Sequence, residues 1–224
     1  MVATGVHEKK PLTEHELQQW ILREFENAGL TTEEGPDVAV NAHASDPHYA
    51  PSAERPTPIK EGDLLLLDVW GKTKVEGSVY YDISWVGYLG VKVPEKYAKV
   101  FAVITAARDK AVDLIRSSVA AGKPVQGWQV DKAARGVIEK AGYGKYFIHR
   151  TGHNIGTTVH GNGVNMDGLE THDNRHLIAG TCNSVEPGIY LPEFGMRSEV
   201  NVYVSEGEAR VTGAVQNEIR ALLA

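Results

Sequence analysis

The chain has 224 residues, 42% of them hydrophobic and 23% charged, enough for one large domain or two small ones with a real core. Its formal net charge is −6 with lysines and arginines scattered rather than striped, which argues against a nucleic-acid footprint. No apolar run is long enough to span a bilayer, no signal-like segment opens the chain, and the single cysteine, Cys182, excludes an intrachain disulfide framework. A cytoplasmic, membrane-free protein is the expectation, with Cys182 a small buried strand residue rather than a catalytic thiol.

In chain order, Leu12–Ala28 reads as an amphipathic helix, with Thr13 and Glu16 forming a capping box and Gly29 ending it. Residues 31–62 are polar and proline-rich. Lys60–Asp63 then forms a turn that launches the strand Leu64–Leu67, ending on Asp68; a second strand, Val79–Trp85, carries Asp82. A long helix is predicted over Pro94–Ala121, stopped by Gly122-Lys-Pro124, and another over Trp128–Ala141, stopped by Gly142 and Gly144. Two apolar runs follow, Val185–Leu191 and Val200–Val204, joined by the turn-rich Pro192–Gly195, which predicts a hairpin; the tail Ala214–Leu223 looks helical. No solenoid repeat is present. A helix followed by a carboxylate-bearing hairpin occurs twice, which predicts one α+β domain with a pseudo-twofold axis through its site.

The chemistry concentrates on those hairpins. Asp68 and Asp82 lie on the first; Glu186 and Glu199 lie on the second; His149-Arg-Thr-Gly-His153-Asn-Ile-Gly156 falls between them, with His160 seven residues past His153. Carboxylates sunk in apolar strand sequence are costly unless something positive meets them. Asp68, Asp82, His153, Glu186 and Glu199 are therefore candidate metal ligands. An oxygen-rich set with one imidazole suits manganese, iron or cobalt better than a structural zinc. Two divalent ions would nearly neutralise the four carboxylates and would acidify a shared water into a nucleophile. The bland alternative makes each acid a surface residue on a half-exposed strand. Similarly, His7, His15, His43, His172 and His176 read as solvated surface and Trp20 and Trp128 as helix core. Trp70 and Trp85 are either packing residues or pocket walls.

Gly152-His-Asn-Ile-Gly156, His160, Val185-Glu-Pro-Gly-Ile-Tyr190 and Arg197-Ser-Glu199 together resemble the pita-bread metallopeptidases: methionine aminopeptidase, aminopeptidase P, prolidase and the metal-free creatinase. The resemblance runs from about residue 12 to 212, and Glu-Pro-Gly-Ile-Tyr, Arg197 and His149 place it nearest aminopeptidase P and prolidase. It implies an α+β pita-bread fold, a curved antiparallel sheet covered by helices. It implies two divalent ions, manganese or cobalt first and iron or zinc as alternatives, on Asp68, Asp82, His153, Glu186 and Glu199. It also implies that Glu186 moves the proton, with His149 assisting at the scissile amide and His160 stabilising the oxyanion. His48 and Arg197 would orient substrate or neighbouring groups. The implied activity is hydrolysis of the N-terminal peptide bond of peptides, before proline, in a homodimer. A catalytically silent scaffold that binds peptide or protein is the alternative, and an amidinohydrolase like creatinase is disfavoured because the ligand set is intact.

Several positions depart from the family pattern. Asp68 and Asp82 are fourteen residues apart because Lys72–Gly77 lengthens the loop, but an even separation keeps both on one face of the pleat. Trp85, Gly161 and Val164 stand where relatives carry an arginine, an acid and a carboxylate-binding arginine, and Val200 replaces a common aspartate, which is expected to loosen the metal. The whole chain, 1–224, reads as a single catalytic domain lacking the N-terminal domain and first helix of full-length relatives. From this follow two further expectations: a dimer in which the partner or a rearranged N-terminus covers the exposed face, and low metal affinity.

Overall fold

The computed structural model describes residues 1–224. A short helix α1 (Val2–His7) precedes α2 (Glu14–Asn27), whose N-terminus is held as predicted: the Glu16 amide donates to Thr13 Oγ1 at 3.1 Å and the Thr13 amide to Glu16 Oε2 at 2.8 Å. Strands β1 (Leu30–Thr31) and β2 (Asp37–Val40) lie in the stretch that sequence treats as loop. They pair in turn along one edge of β3 (Leu64–Thr73), whose other edge pairs antiparallel with β4 (Tyr81–Tyr88). Two helices follow, the 26-residue α3 (Glu95–Ala120) and α4 (Gly127–Lys140), both within a residue or two of the predicted limits.

The second half is β5 (Asn154–Ile155), β6 (Thr181–Val185), β7 (Gly188–Leu191), β8 (Phe194–Arg197), β9 (Val200–Ser205), β10 (Glu208–Thr212) and β11 (Arg220–Ala221). β10-β9-β6-β5 form one antiparallel sheet, and β7–β8 a two-stranded ribbon. Helix α3 packs against the second sheet and the β7–β8 ribbon, and α4 packs against α3. The main core holds Phe101, Ile104 and Ile115 of α3, Val130 and Ile138 of α4, and Val185, Val200 and Val202 from the second half. The four leucines of β3 divide by the period-2 rule: Leu64 and Leu66 enter this core, while Leu65 and Leu67 face a smaller one built with Leu17 and Ile21 of α2. Asp68 shares the parity of Leu64 and Leu66, so the strand delivers it to the inner face.

Two expectations change. The predicted hairpin turns at Pro192–Glu193, between β7 and β8, and its far arm begins at Phe194 rather than Val200. The arms bend midway. β6 pairs with β9 up to Val185↔Val200, and the same register resumes at Gly188↔Arg197. Glu186 and Glu199 face each other in the gap, where Pro187 has no N–H for the ladder and the Glu186 amide turns to Thr151 O at 2.7 Å. The tail Ala214–Leu223 is not helical. Gln216 bonds both backbone groups of Val86, at 2.8 and 2.6 Å, and β11 then runs parallel to β4. Its apolar residues split between cores, Ile219 to the main one and Leu222 and Leu223 to the smaller, which a single helical face does not allow.

Candidate metal centre

Each expected ligand is carried by an element that leaves it little choice of position. On the first hairpin Asp68 sits opposite Ser84, and Trp70 opposite Asp82, so Asp68, Ser84 and Asp82 share the inner face. Asn201 of β9 clamps the backbone of Asp82: its Oδ1 accepts from the Asp82 amide at 3.0 Å and its Nδ2 donates to the Asp82 carbonyl. The loop carrying His153 is anchored by buried Asp131 of α4, which accepts from the Thr151 amide (3.0 Å), the Thr151 hydroxyl (2.8 Å) and Arg135. Arg135 in turn donates to the carbonyls of Phe147 and His149, both at 2.8 Å. Gly152 lets this loop lie against β6, since a Cβ there would stand 2.1 Å from Ser184 O. Ser184 Oγ, which accepts from the His153 amide at 2.9 Å, lies 2.9 Å from Glu186 Oε1. Next to Glu199, Ser198 accepts from Arg108, whose guanidinium is 1% exposed.

The side chains meet as expected from sequence. One ligand atom from each of Asp82, His153 and Glu199 lies within 4.8 Å of the others. His153 Nε2 is 3.3 Å from Asp82 Oδ2 and 3.3 Å from Glu186 Oε1. Asp68 joins through Ser84, whose hydroxyl lies 2.9 Å from Asp68 Oδ1 and 2.8 Å from Glu199 Oε2. Arg197 is the one cation inside. It is 3% exposed and donates to Ser84 Oγ (2.9 Å), Tyr190 Oη (2.9 Å) and Asp68 Oδ2, with Glu186 Oε2 3.7 Å away. Arg197 is thus a clamp on the carboxylates, its donors already engaged.

The electrostatics describe a site short of positive charge. Burial, opposed by the His153 hydrogen bond and reinforced by Asp68, pushes Asp82 up to about 7. Burial, then Asp82, Glu186 and Asp68, hold Glu199 well above the usual carboxylate range, and Glu199 Oε1 is buried with no hydrogen-bond partner. Glu186 and Glu199 stand at opposing positions in the break between the two ladders, an arrangement of two acids that a cation between them would relieve. Burial lowers His153, yet its hydrogen bond to Asp82 and the charges of Glu186 and Asp82 raise it overall. Its Nδ1 faces the Asn154 carbonyl at 3.1 Å and carries a hydrogen, so Nε2 is the nitrogen that faces Asp82 and Glu186 and would turn its lone pair to a bound ion. Hard carboxylate oxygens, one suitably oriented imidazole and an orphaned buried oxygen fit divalent first-row ions.

The cluster floors a cavity of about 1030 Å³. His48, His149, His160 and Arg197 all line it, as does Trp70; Trp85 projects from the opposite face of β4. His149 Nδ1 meets Arg150 O at 2.6 Å and Nε2 meets Tyr190 Oη at 2.7 Å. A carbonyl accepts only, so Nδ1 bears the hydrogen and the tyrosine donates to Nε2 while accepting from Arg197. Burial and then Arg197 depress His149 to about 3, leaving it neutral. His160 sits exposed at the mouth, its ring edge-on to His153 at 4.4 Å; burial on its inner side, then His153, lower its basicity. His43 is not the solvated residue expected: Glu14, 1% exposed, holds it at 3.0 Å, and it stacks on Tyr49. Cys182 is half-buried in β6 and burial raises its thiol.

Ser84, Tyr190, Arg150 and Asp37, each in or beside the cavity, escaped the sequence reading. Ser84 stands two residues after Asp82, so strand parity alone puts it on the ligand face. Tyr190 and Arg150 lie inside stretches already singled out. Asp37 had no signal, because β2 is four residues long and sits in a proline-rich segment. Its carboxyl lines the cavity opposite Asp68, and burial and then Asp68 push it up to about 7.

Comparison with known proteins agrees with this architecture. The profile described as metallopeptidase family M24 matches residues 2–206. A probable dipeptidase PepE of Mycobacterium tuberculosis is 34% identical over 173 residues, covering 77% of this chain and 42% of that protein. A Xaa-Pro dipeptidase of Lactobacillus delbrueckii subsp. lactis is 32% identical over 163 residues, 72% of this chain and 40% of the relative. The crystal structure of dipeptidase PepE from Mycobacterium ulcerans superposes with a TM-score of 0.82 at 30% identity, over 99% of this chain and 55% of that one. The chain therefore spans about half or less of the length of the relatives it matches.

Proposed function

The chain belongs to metallopeptidase family M24, and from that premise we propose that it is the catalytic domain of a dinuclear metal-dependent peptidase. The reaction is hydrolysis of the N-terminal peptide bond of peptides, with proline preferred in the second position. The observation that carries this reading is the buried meeting of Asp82, His153 and Glu199, with Glu186 and Asp68 alongside, at the floor of a large cavity. The name of the Lactobacillus relative supports the Xaa-Pro preference.

Asp68, Asp82, His153, Glu186 and Glu199 would hold the two ions, manganese or cobalt first. Bound there, such ions acidify a water and polarise the scissile carbonyl. Glu186 faces the cavity with one oxygen beside Ser184 Oγ; it takes the proton and returns it to the leaving nitrogen. Neutral His160, at the mouth, donates its N–H to the developing oxyanion. The Tyr190–His149 pair, fixed at 2.7 Å, sits where the scissile amide is oriented, and His48 borders the same space. Arg197 holds Asp68 in place. The protein acts in the cytoplasm as a homodimer.

Metal-depleted protein reloaded with manganese or cobalt, assayed on a panel of Xaa-Pro peptides, is the test. Two equivalents bind, hydrolysis appears with them, and Asp82→Ala abolishes both. Failure of the loaded protein on every peptide would overturn the reading.

A further inference from the structure

One side of the cavity is acidic beyond the ligand set. Glu33, Glu34 and Asp46 are exposed along it, and Asp37 stands deeper, at the start of β2. The β2–β3 register puts Asp37 directly opposite Asp68, so its side chain emerges on the face that bears Asp68 and Trp70. No basic side chain reaches it. The nearest guanidinium, that of Arg197, is spent on Asp68, Ser84 and Tyr190. A half-buried carboxylate beside a second carboxylate is a costly choice of residue, and only the charge of Arg197, whose donors are engaged elsewhere, eases it. The same cavity carries a basic group, Arg150 with His149, His160 and His48; the His48 amide donates to Asp46 at 3.0 Å, where the two groups meet, and Glu170 lies 3.9 Å from Arg150.

A zwitterionic peptide entering this field lies with its ammonium end toward the acids and its carboxylate end toward Arg150. With the scissile bond over the ligand cluster, the first residue's side chain falls beside Asp37. We propose that Asp37 is a specificity-determining residue, selecting peptides that begin with lysine or arginine over those that begin with aspartate or glutamate. This rests on the peptidase reading above and narrows its substrate class. Discrimination comes from both an added attraction and a repulsion built against the wrong partner.

The test uses manganese-loaded protein with Arg-Pro, Leu-Pro and Glu-Pro. Expected is a kcat/KM at least tenfold higher for Arg-Pro than for Glu-Pro. Asp37→Asn shrinks that ratio to threefold or less while metal content and Leu-Pro turnover stay within threefold of wild type. An unchanged ratio in Asp37→Asn, or a uniform fall on all three peptides together with metal loss, overturns the proposal. Equilibrium binding of Arg-Pro and Glu-Pro to the loaded protein separates the two readings. Absence of turnover with tenfold tighter Arg-Pro binding that Asp37→Asn removes would sink the hydrolase reading and keep this one. Equal or undetectable binding would overturn it.

Discussion

Replacing Arg197 by methionine would strip the ligand cluster of its only internal cation while nearly conserving volume. The guanidinium gives up hydrogen bonds to Ser84 and Tyr190, at 2.9 Å each, and its ion pair with Asp68, all from a site 3% exposed. Removing one partner of a buried pair costs about 3–5 kcal/mol, chiefly because the charge left behind is unpaired. Against a total stability on the order of 5–15 kcal/mol that is a large fraction. Bound divalent ions would meet Asp68 and Glu186 instead, so the loss in metal-loaded protein should fall to about 1–2 kcal/mol, the cost of two hydrogen bonds. Urea unfolding in EDTA and in excess manganese measures both figures. Arg197→Lys, which keeps the charge but not the planar fork, should fall between wild type and Arg197→Met in EDTA. Equal losses with and without metal, or a loss under about 1 kcal/mol in EDTA, would refute the idea that Arg197 balances the carboxylates.

Other outcomes follow from the same geometry. Asp82 keeps its proton in the folded metal-free state up to about pH 7, whereas the unfolded chain releases it near 3.8, so ionisation works against folding across that window. Asp82→Asn should therefore match wild type in EDTA near pH 4 and exceed it by on the order of 3 kcal/mol above pH 7, while losing metal binding; a pH series of urea melts reads this. Tyr190→Phe removes the donor to His149 Nε2 and should lower kcat about tenfold with metal content unchanged, as steady-state kinetics with metal analysis would reveal. Gly152→Ala drives a methyl to 2.1 Å from Ser184 O and should weaken metal binding by displacing His153, measurable by titration; wild-type affinity in that variant would mean the loop adjusts freely.

The meeting of the candidate ligands was legible because strands obey parity and because buried acids in apolar runs demand a reason. The helices were legible from spacing and from the Thr13–Glu16 box, which forms as read. The tail misled because Ile219, Leu222 and Leu223 fit a helical spacing, yet the structure splits them between two cores and lets Gln216 stand in for strand backbone. The long hairpin was read with the wrong far arm because its ladder breaks at Pro187, which no periodicity reveals. Asp37 and His43 sat in a segment whose composition says loop. Only the pairing of β2 with β3, and of Glu14 with His43 29 residues on, gives those side chains a place.

The two-residue connection Pro192–Glu193 lies outside the buried carboxylate cluster, yet it acts as that cluster's ruler. Residue pairs along the bent hairpin keep one register on both sides of the break, from Val185↔Val200 to Leu191↔Phe194. Glu186 therefore faces Glu199 only while the chain between them keeps its length. One residue more or less at that distant tip would slide the return arm by a step and turn Glu199 toward the other face. Surface loops ordinarily absorb insertions and deletions freely. In this molecule the tip of a ribbon is as intolerant of a change in length as the buried acids are of a change in identity.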